Sequence, residues 1–212
     1  MTATPMVRLI TLFCLAALSP LVAADARCDA SALDPPVADY KAKVTALHEQ
    51  LGIPEDYSER TGLSLQPTNE RLVVAGVDRR MGVFLMSAEA AKAWLEMQAA
   101  ARVEGVELFP VSTYRGVFEQ AEIVRQRLND NQTIEEVLKT SAAPGYSEHH
   151  TGDAIDLATP NGPGLTQEFA TTEAYAWLTA NAGDYCFTLS YPEDNDHGLA
   201  FEPWHWRFER SM

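Results

Sequence analysis

Two short stretches of this 212-residue chain gather groups able to hold a divalent metal. The first, YSEHHTGDAIDL over residues 146–157, carries His149, His150, Asp153 and Asp156. The second, FEPWHWRF over residues 201–208, carries Glu202 and His205 between aromatic neighbours. A catalytic zinc site takes three nitrogen, sulfur or carboxylate ligands and keeps one position open for water. Three of the five histidines lie in these stretches, and none of the three cysteines does. Two histidines and one carboxylate are therefore the set on offer. Such a set leaves the ion with net positive charge, which acidifies a bound water to a pKa of about 7.

His149 precedes a glycine-containing turn, and Asp156 follows on an expected strand; with His205 they are the expected ligands. Gly152 and Ala154 are small enough for the backbone to fold tightly there. Asp153 is a rival ligand or an ordinary turn residue, and the second reading is preferred. His150 is expected behind the site or at the surface, because neighbours on an extended chain point to opposite sides. His48 and His197 stand alone near turns and read as solvated or core residues. Trp204 and Trp206 are expected to wall the site and exclude water, which strengthens charge interactions inside it; the alternative is that they are simply core. Pro203 breaks ordinary strand alternation, so Glu202 can face the same cavity as His205 and take a proton from a water as general base. Arg115 offers a planar fork of donors for a carboxylate or a polarised carbonyl. Its position after STY at a helix start favours function over a surface ion pair, since cations are disfavoured there.

The elements that must position these residues read as follows. Apolar spacing predicts helices over 37–53, 87–105, 116–130, 133–142 and 171–183, with Ser87 and Thr171 or Thr172 as caps. RLVVAGV and GVFLM form an expected hairpin, and residues 57–70 read as loop. Further strands are expected over 106–114, 154–158, 186–192, 198–203 and 204–209. The expected class is α+β, a mostly antiparallel central sheet flanked by helices, with strands clustered late.

Residues 1–24 resemble a secretory signal peptide: Arg8 is followed by the short apolar run LITLFCLAALSPLVAA, which ends in small residues. That run is short for a membrane span and is broken by Ser19 and Pro20, so no integral membrane segment is expected after cleavage. The expected location is exported, periplasmic or secreted. The net charge is -14, and loss of Arg8 with the leader makes it more negative still. So acidic a surface repels phosphate backbones and anionic lipid, which excludes nucleic acid as a partner. Cys14 leaves with the leader. The remaining pair in an exported protein predicts a Cys28–Cys186 disulfide.

SEHHTGDAID fits Ser-x-His-x-x-Gly-x-Ala-x-Asp, EPWHW fits Glu-x-x-His, and STYRGVFEQ fits Ser-x-Tyr-Arg with a Gln five residues after the Arg. Together, in this order, they resemble the VanY-type zinc D-alanyl-D-alanine carboxypeptidases, cell-wall peptidases that share a fold with the Hedgehog signalling domain. The resemblance spans roughly residues 71–210 and leaves 25–70 as an N-terminal extension before a zinc peptidase domain at 71–212. It implies one zinc ion held by His149, Asp156 and His205, Glu202 as catalytic base, and Arg115 steadying the oxyanion. Gln120, Ser147 and, from LSYP, Tyr191 match positions that line the substrate pocket. The implied substrates are peptidoglycan stem peptides and the implied cut is at terminal D-alanyl-D-alanine. The alternatives are L,D-carboxypeptidase, D,D-dipeptidase or endopeptidase action, or a non-catalytic module that binds zinc or cell wall.

Overall fold

The computed structural model describes Cys28, residues 30–78 and residues 82–210. The expected signal peptide, residues 1–24, lies outside the described residues. Among the described residues the chain forms α1 (Ala38–Leu51), α2 (Tyr57–Thr61), β1 (Leu72–Val77), β2 (Val83–Ser87), α3 (Ala88–Val103), β3 (Phe109–Ser112), α4 (Val117–Asn129), α5 (Ile134–Leu138), β4 (Ala154–Ala158), α6 (Glu173–Asn181), β5 (Phe187–Leu189) and β6 (His205–Phe208). β1 and β2 pair as an antiparallel hairpin, and the other strands form one antiparallel sheet in the order β3-β4-β6-β5.

Alternation along β4 and β6 sorts apolar from polar. Ile155 pairs with Trp206, and Asp156 pairs with His205. Directly opposed residues on antiparallel strands share a face. Ile155, Leu157, Trp206 and Phe208 therefore enter the main core, together with Trp94 and Met97 of α3 and Leu178 of α6. Asp156 and His205 emerge together on the other face. A second core joins Val44 and Leu47 of α1 to Val117, Ala121 and Val124 of α4, and also takes in Tyr191 and Leu199.

Helix ends follow the caps expected of them. The Ser87 hydroxyl accepts from the Ala90 N–H, and Thr172, rather than Thr171, accepts from the Tyr175 N–H. Thr133 and Glu136 close a capping box on α5. Three expectations need correction. Residues 57–61 form a helical turn, ended by Gly62 at φ 64, where a loop was expected. Residues 198–203 form no strand, because their amides serve separate partners: Ala200 donates to Lys139 O and Glu202 to Tyr191 O. Strands also do not cluster late, since the hairpin precedes α3; it is tied to the sheet through Tyr114 N–H donating to Leu85 O.

Residues N-terminal to the hairpin brace the loop that leads into the site. Gly145 has φ 90, and a Cβ there would lie 2.7 Å from both methyls of Val44 in α1. Only glycine permits both the backbone angle and the close approach. The Gln66 N–H donates to Gly145 O at 2.8 Å. No helix among the described residues is long and apolar enough to cross a membrane.

Cys28 and Cys186 form the expected disulfide, with Cα atoms 5.5 Å apart and a sequence separation of 158. Cross-linking so distant a pair restricts the unfolded chain. Replacing both cysteines by serine should lower the unfolding free energy by about 2–4 kcal/mol, read as a fall in the urea midpoint. An unchanged midpoint would show that the bridge contributes nothing.

Candidate metal centre

Three segments converge on one point. β4 supplies Asp156, β6 supplies His205, and a 3-10 turn at Glu148–Thr151 supplies His149. The turn ends at Gly152, φ 73, where a Cβ would meet the Ser87 N at 2.9 Å and Leu72 Cδ2 at 2.6 Å. That glycine lets the chain reverse against the hairpin and enter β4. One ligand atom from each of His149, Asp156 and His205 lies within 4.8 Å of the others. All three are nearly sealed from solvent, at 4%, 4% and 3% exposure.

The hydrogen bonds fix which nitrogens face inward. His149 Nδ1 lies 2.5 Å from Thr113 O and so carries the proton, donating it there. Its Nε2 lone pair then faces Asp156 Oδ2 at 3.2 Å. His205 Nε2 donates to Glu148 Oε2 at 2.8 Å, and Nδ1 faces Asp156 Oδ1 at 2.9 Å. Two ring nitrogens thus point at one carboxylate, and the His205 nitrogen holds a proton in the place a metal cation would take. Two imidazoles and a carboxylate, each oriented by an outer partner, are the donor set of a zinc-type ion.

The electrostatics agree. Burial opposes ionisation of Asp156, but His149 and His205 outweigh it and hold the carboxyl well below the usual range. Burial would depress His205, yet its bonds to Asp156 and Glu148 prevail and hold it up to about 10. Burial pushes His149 down. Burial also pushes Glu202 up to about 7, with Asp156 adding to the rise and His205 and Arg115 opposing it.

Glu202 stands at the mouth of the site by a turn. His205 N–H donates to Glu202 O at 3.0 Å, which places Pro203 at the second position of a four-residue turn, where proline is favoured. Glu202, Arg115, Gln120, Ser147, Tyr191 and Trp204 line one cleft of about 260 Å3 with the three ligand candidates. The expected ligands, base, arginine and pocket residues all line that cleft, whereas Trp206, expected as a wall, does not. Arg115 Nη1 donates to Gln120 Oε1 at 2.6 Å and Nη2 to Ser112 Oγ at 3.0 Å, and Nη2 lies 3.7 Å from Asp156. Gln120 is 1% exposed and its amide nitrogen donates to Ala142 O, so it holds Arg115 rather than offering free donors. Tyr191 stacks at a tilt on His205, with ring centroids 5.0 Å apart.

Other residues have different places from those expected. Trp206 is core, its indole N–H donating to Pro203 O, and only Trp204 borders the cleft. Asp153 is no ordinary turn residue: at 1% exposure it accepts from Ser87 and from two nitrogens of Arg210. His150 is fully buried, donates to Arg115 O and accepts from the Gly145 N–H. His48 and His197 hydrogen-bond backbone carbonyls elsewhere.

Sequence reasoning missed Glu148 and Arg207. Glu148 orients His205 and accepts from Arg207 at 2.9 Å; His205 bonding and Arg207 overcome its burial and lower it to about 2. The available signal was Arg207 two positions after His205 on a strand, hence on the same face.

The family model described as VanY, D-alanyl-D-alanine carboxypeptidase, matches residues 84–211. A D-alanyl-D-alanine carboxypeptidase of Enterococcus faecalis (strain ATCC 700802 / V583) is 33% identical over 51% of this chain and 42% of its own length. The chain spans less than half the length of this and two other curated relatives, 45% and 37%. The solved structure of the LD-carboxypeptidase LdcB, described for its peptidoglycan recognition, superposes with a TM-score of 0.60 at 30% identity, covering 68% of this chain and 71% of that one. A vancomycin-resistance D,D-pentapeptidase VanY in complex with Zn(II) gives 0.52 at 26% identity, covering 69% and 84%. With the matched model extending over Arg115, His149, Asp156, Glu202 and His205 alike, the chain belongs to the VanY D-alanyl-D-alanine carboxypeptidase family.

Proposed function

We propose that the protein is a zinc-dependent carboxypeptidase that releases the terminal D-alanine from peptidoglycan stem peptides. The observation that carries this reading is the convergence of His149, Asp156 and His205 beside a half-buried Glu202 and an Arg115 already held in place. When bound, zinc supplies a Lewis acid for the scissile carbonyl and an acidified water. Glu202 receives the proton of that water and returns it to the leaving amine. Arg115, fixed by Gln120 and Ser112, donates toward the oxygen on which negative charge develops. Tyr191 and Trp204 flank His205 and limit access of bulk water. Ser147, buried to 4% exposure, borders the same cleft.

The wider reading is of an exported protein, periplasmic or secreted. The disulfide supports it, because such bonds persist in oxidising compartments. Residues 1–24 would be the leader, 25–70 an N-terminal extension bracing the site loop, and 71–212 the peptidase domain. Neither nucleic acid nor a membrane is a partner in this reading, in keeping with the net charge of -14.

The deciding experiment is mass spectrometry of products from a stem pentapeptide, a tetrapeptide and a cross-linked dimer, with and without chelator. Loss of one D-alanine from the pentapeptide, abolished by chelator and restored by zinc, is the expected outcome. Release only from the tetrapeptide would move the cut to an L,D bond. Glu202→Gln should keep its zinc and lose roughly 10²- to 10⁴-fold in kcat; full turnover in that variant would remove Glu202 from the base role.

Glu148→Gln keeps the shape of the side chain but removes the anion that receives His205 Nε2–H. Zinc affinity should fall roughly 10- to 100-fold, measured by competition with a chromophoric chelator. Unchanged affinity would show that His205 needs no such partner. Metal binding must also displace the proton that His205 holds, since both its nitrogens face carboxylates and it stays charged up to about pH 10. Zinc affinity should therefore weaken as pH falls, about tenfold per pH unit for one displaced proton, in the same assay. A flat profile between pH 6 and 8 would contradict this account.

A further inference from the structure

One cation in the cleft has no role in the chemistry above. Gln120, Ile123 and Arg127 lie at i, i+3 and i+7 on α4, one face of the helix, and all three line the cleft. Arg127 is half-buried, and its Nη1 donates to Thr140 Oγ1, a residue on the cleft wall. That bond uses one of five donors of a guanidinium. Among the described residues, Arg60, Arg115, Arg125, Arg207 and Arg210 each stand in an ion pair, and Arg127 does not. Arg71 and Arg102 also lack one, but they are exposed to solvent. Arg127 is thus a cation with no carboxylate partner, directed by Thr140 along the wall of the cleft.

The protein's own carboxylates in that cleft disfavour an anionic peptide unless cations match them. Asp156 and Glu202 both line it, and the whole chain has net charge -14. Arg115 spends two of its five donors on Gln120 and Ser112, and its charge already faces Asp156 at 3.7 Å, beside the metal ligands. Arg127 acts electrostatically on both Arg115 and Glu202, so its charge is felt where the peptide must lie. A substrate cut one residue from its end brings a carboxylate into the cleft within about one residue length, roughly 3.8 Å, of the scissile carbonyl.

We propose that Arg127 reads the free C-terminal carboxylate of the peptide and so makes the site selective for chain ends. This rests on the peptidase reading above. Arg115 and Arg127 then divide two tasks: the first meets charge that develops during reaction, the second meets charge already present on the substrate. The second task predicts an effect on KM rather than on kcat, because an interaction made equally in the ground and transition states changes binding alone.

The test compares a stem pentapeptide with its C-terminal carboxamide, using zinc-loaded wild type, R127A and R127K, with zinc content and circular dichroism as checks on folding. Wild type should prefer the free acid. R127A should raise KM for the acid roughly 10- to 100-fold, keep kcat within a few-fold, and leave the carboxamide rate unchanged. R127K should recover part of the loss as a point charge without the fork. Equal losses on acid and carboxamide, or an unmoved KM for the acid, would overturn the assignment. If wild type cut both peptides equally well, only the role of Arg127 would fail. If wild type cut neither, the peptidase reading would fail and take this one with it.

Discussion

The register between β4 and β6 is the constraint on which the rest of the molecule depends. Asp156 stands opposite His205 because Ile155 stands opposite Trp206. Burying large apolar side chains is worth about 1.5–3 kcal/mol each, and Ile155, Leu157, Trp206 and Phe208 are all 4% exposed or less. A slip of one residue would turn that whole set toward the other face. The energy that fixes the register is therefore apolar, while its consequence is polar: a carboxylate and an imidazole are delivered side by side on the opposite face without having to attract one another.

Crowding of ionisable groups on that face is unfavourable unless each is matched. The structure matches them in pairs. Glu148 is held by Arg207 and Asp156 lies near Arg115, while Asp153 is held by Arg210 away from the cleft. Each arginine comes from a segment distant in sequence from its partner, so the ion pairs also close the fold around the site. Hydrogen bonds then complete what charge begins. Thr113 O and Glu148 take the outward protons of His149 and His205, so both inward nitrogens can turn their lone pairs to a cation once the inward proton of His205 leaves. A dication satisfies all three inward groups at once, which a single proton cannot do.

The sequence made the triad legible because ligand chemistry is a property of residue type and close spacing. His149 and Asp156 flank one local turn that ends at Gly152, and His205 follows a proline-containing turn that can be recognised as such. The disulfide was equally legible, since only two cysteines remained to pair. Glu148 was not, because Arg207 beside His205 signals an acidic partner for that face but not which carboxylate the fold brings there. Trp206 illustrates the same limit: one position along a strand separates a cleft wall from the core, and only the register decides. Residues 198–203 look like a strand by composition, yet the Ala200 and Glu202 amides donate to separate partners, Lys139 O and Tyr191 O, so no ladder forms. His150 and Gln120 could be placed near the site but not given their task, which is to hold Arg115 from both its backbone and its side chain.

The two cores make different contributions to the site. The main core fixes β4 and β6, and with them Asp156 and His205. The second core, built from α1 and α4, fixes the loop that carries Gly145, the helix that carries Gln120 and Arg127, and Tyr191 beneath His205. The cleft is the seam between them. Metal ligation draws mainly on the first and peptide contact on the second, so changes within the α1–α4 packing can alter which peptide is accepted while leaving the ligand triad in place. His149 is the exception that joins the halves: its turn reaches back to Ser87 through Gly152 and forward to Arg115, whose N–H donates to His149 O. Through that turn the orientation of the arginine and the position of one ligand are set by the same short piece of backbone.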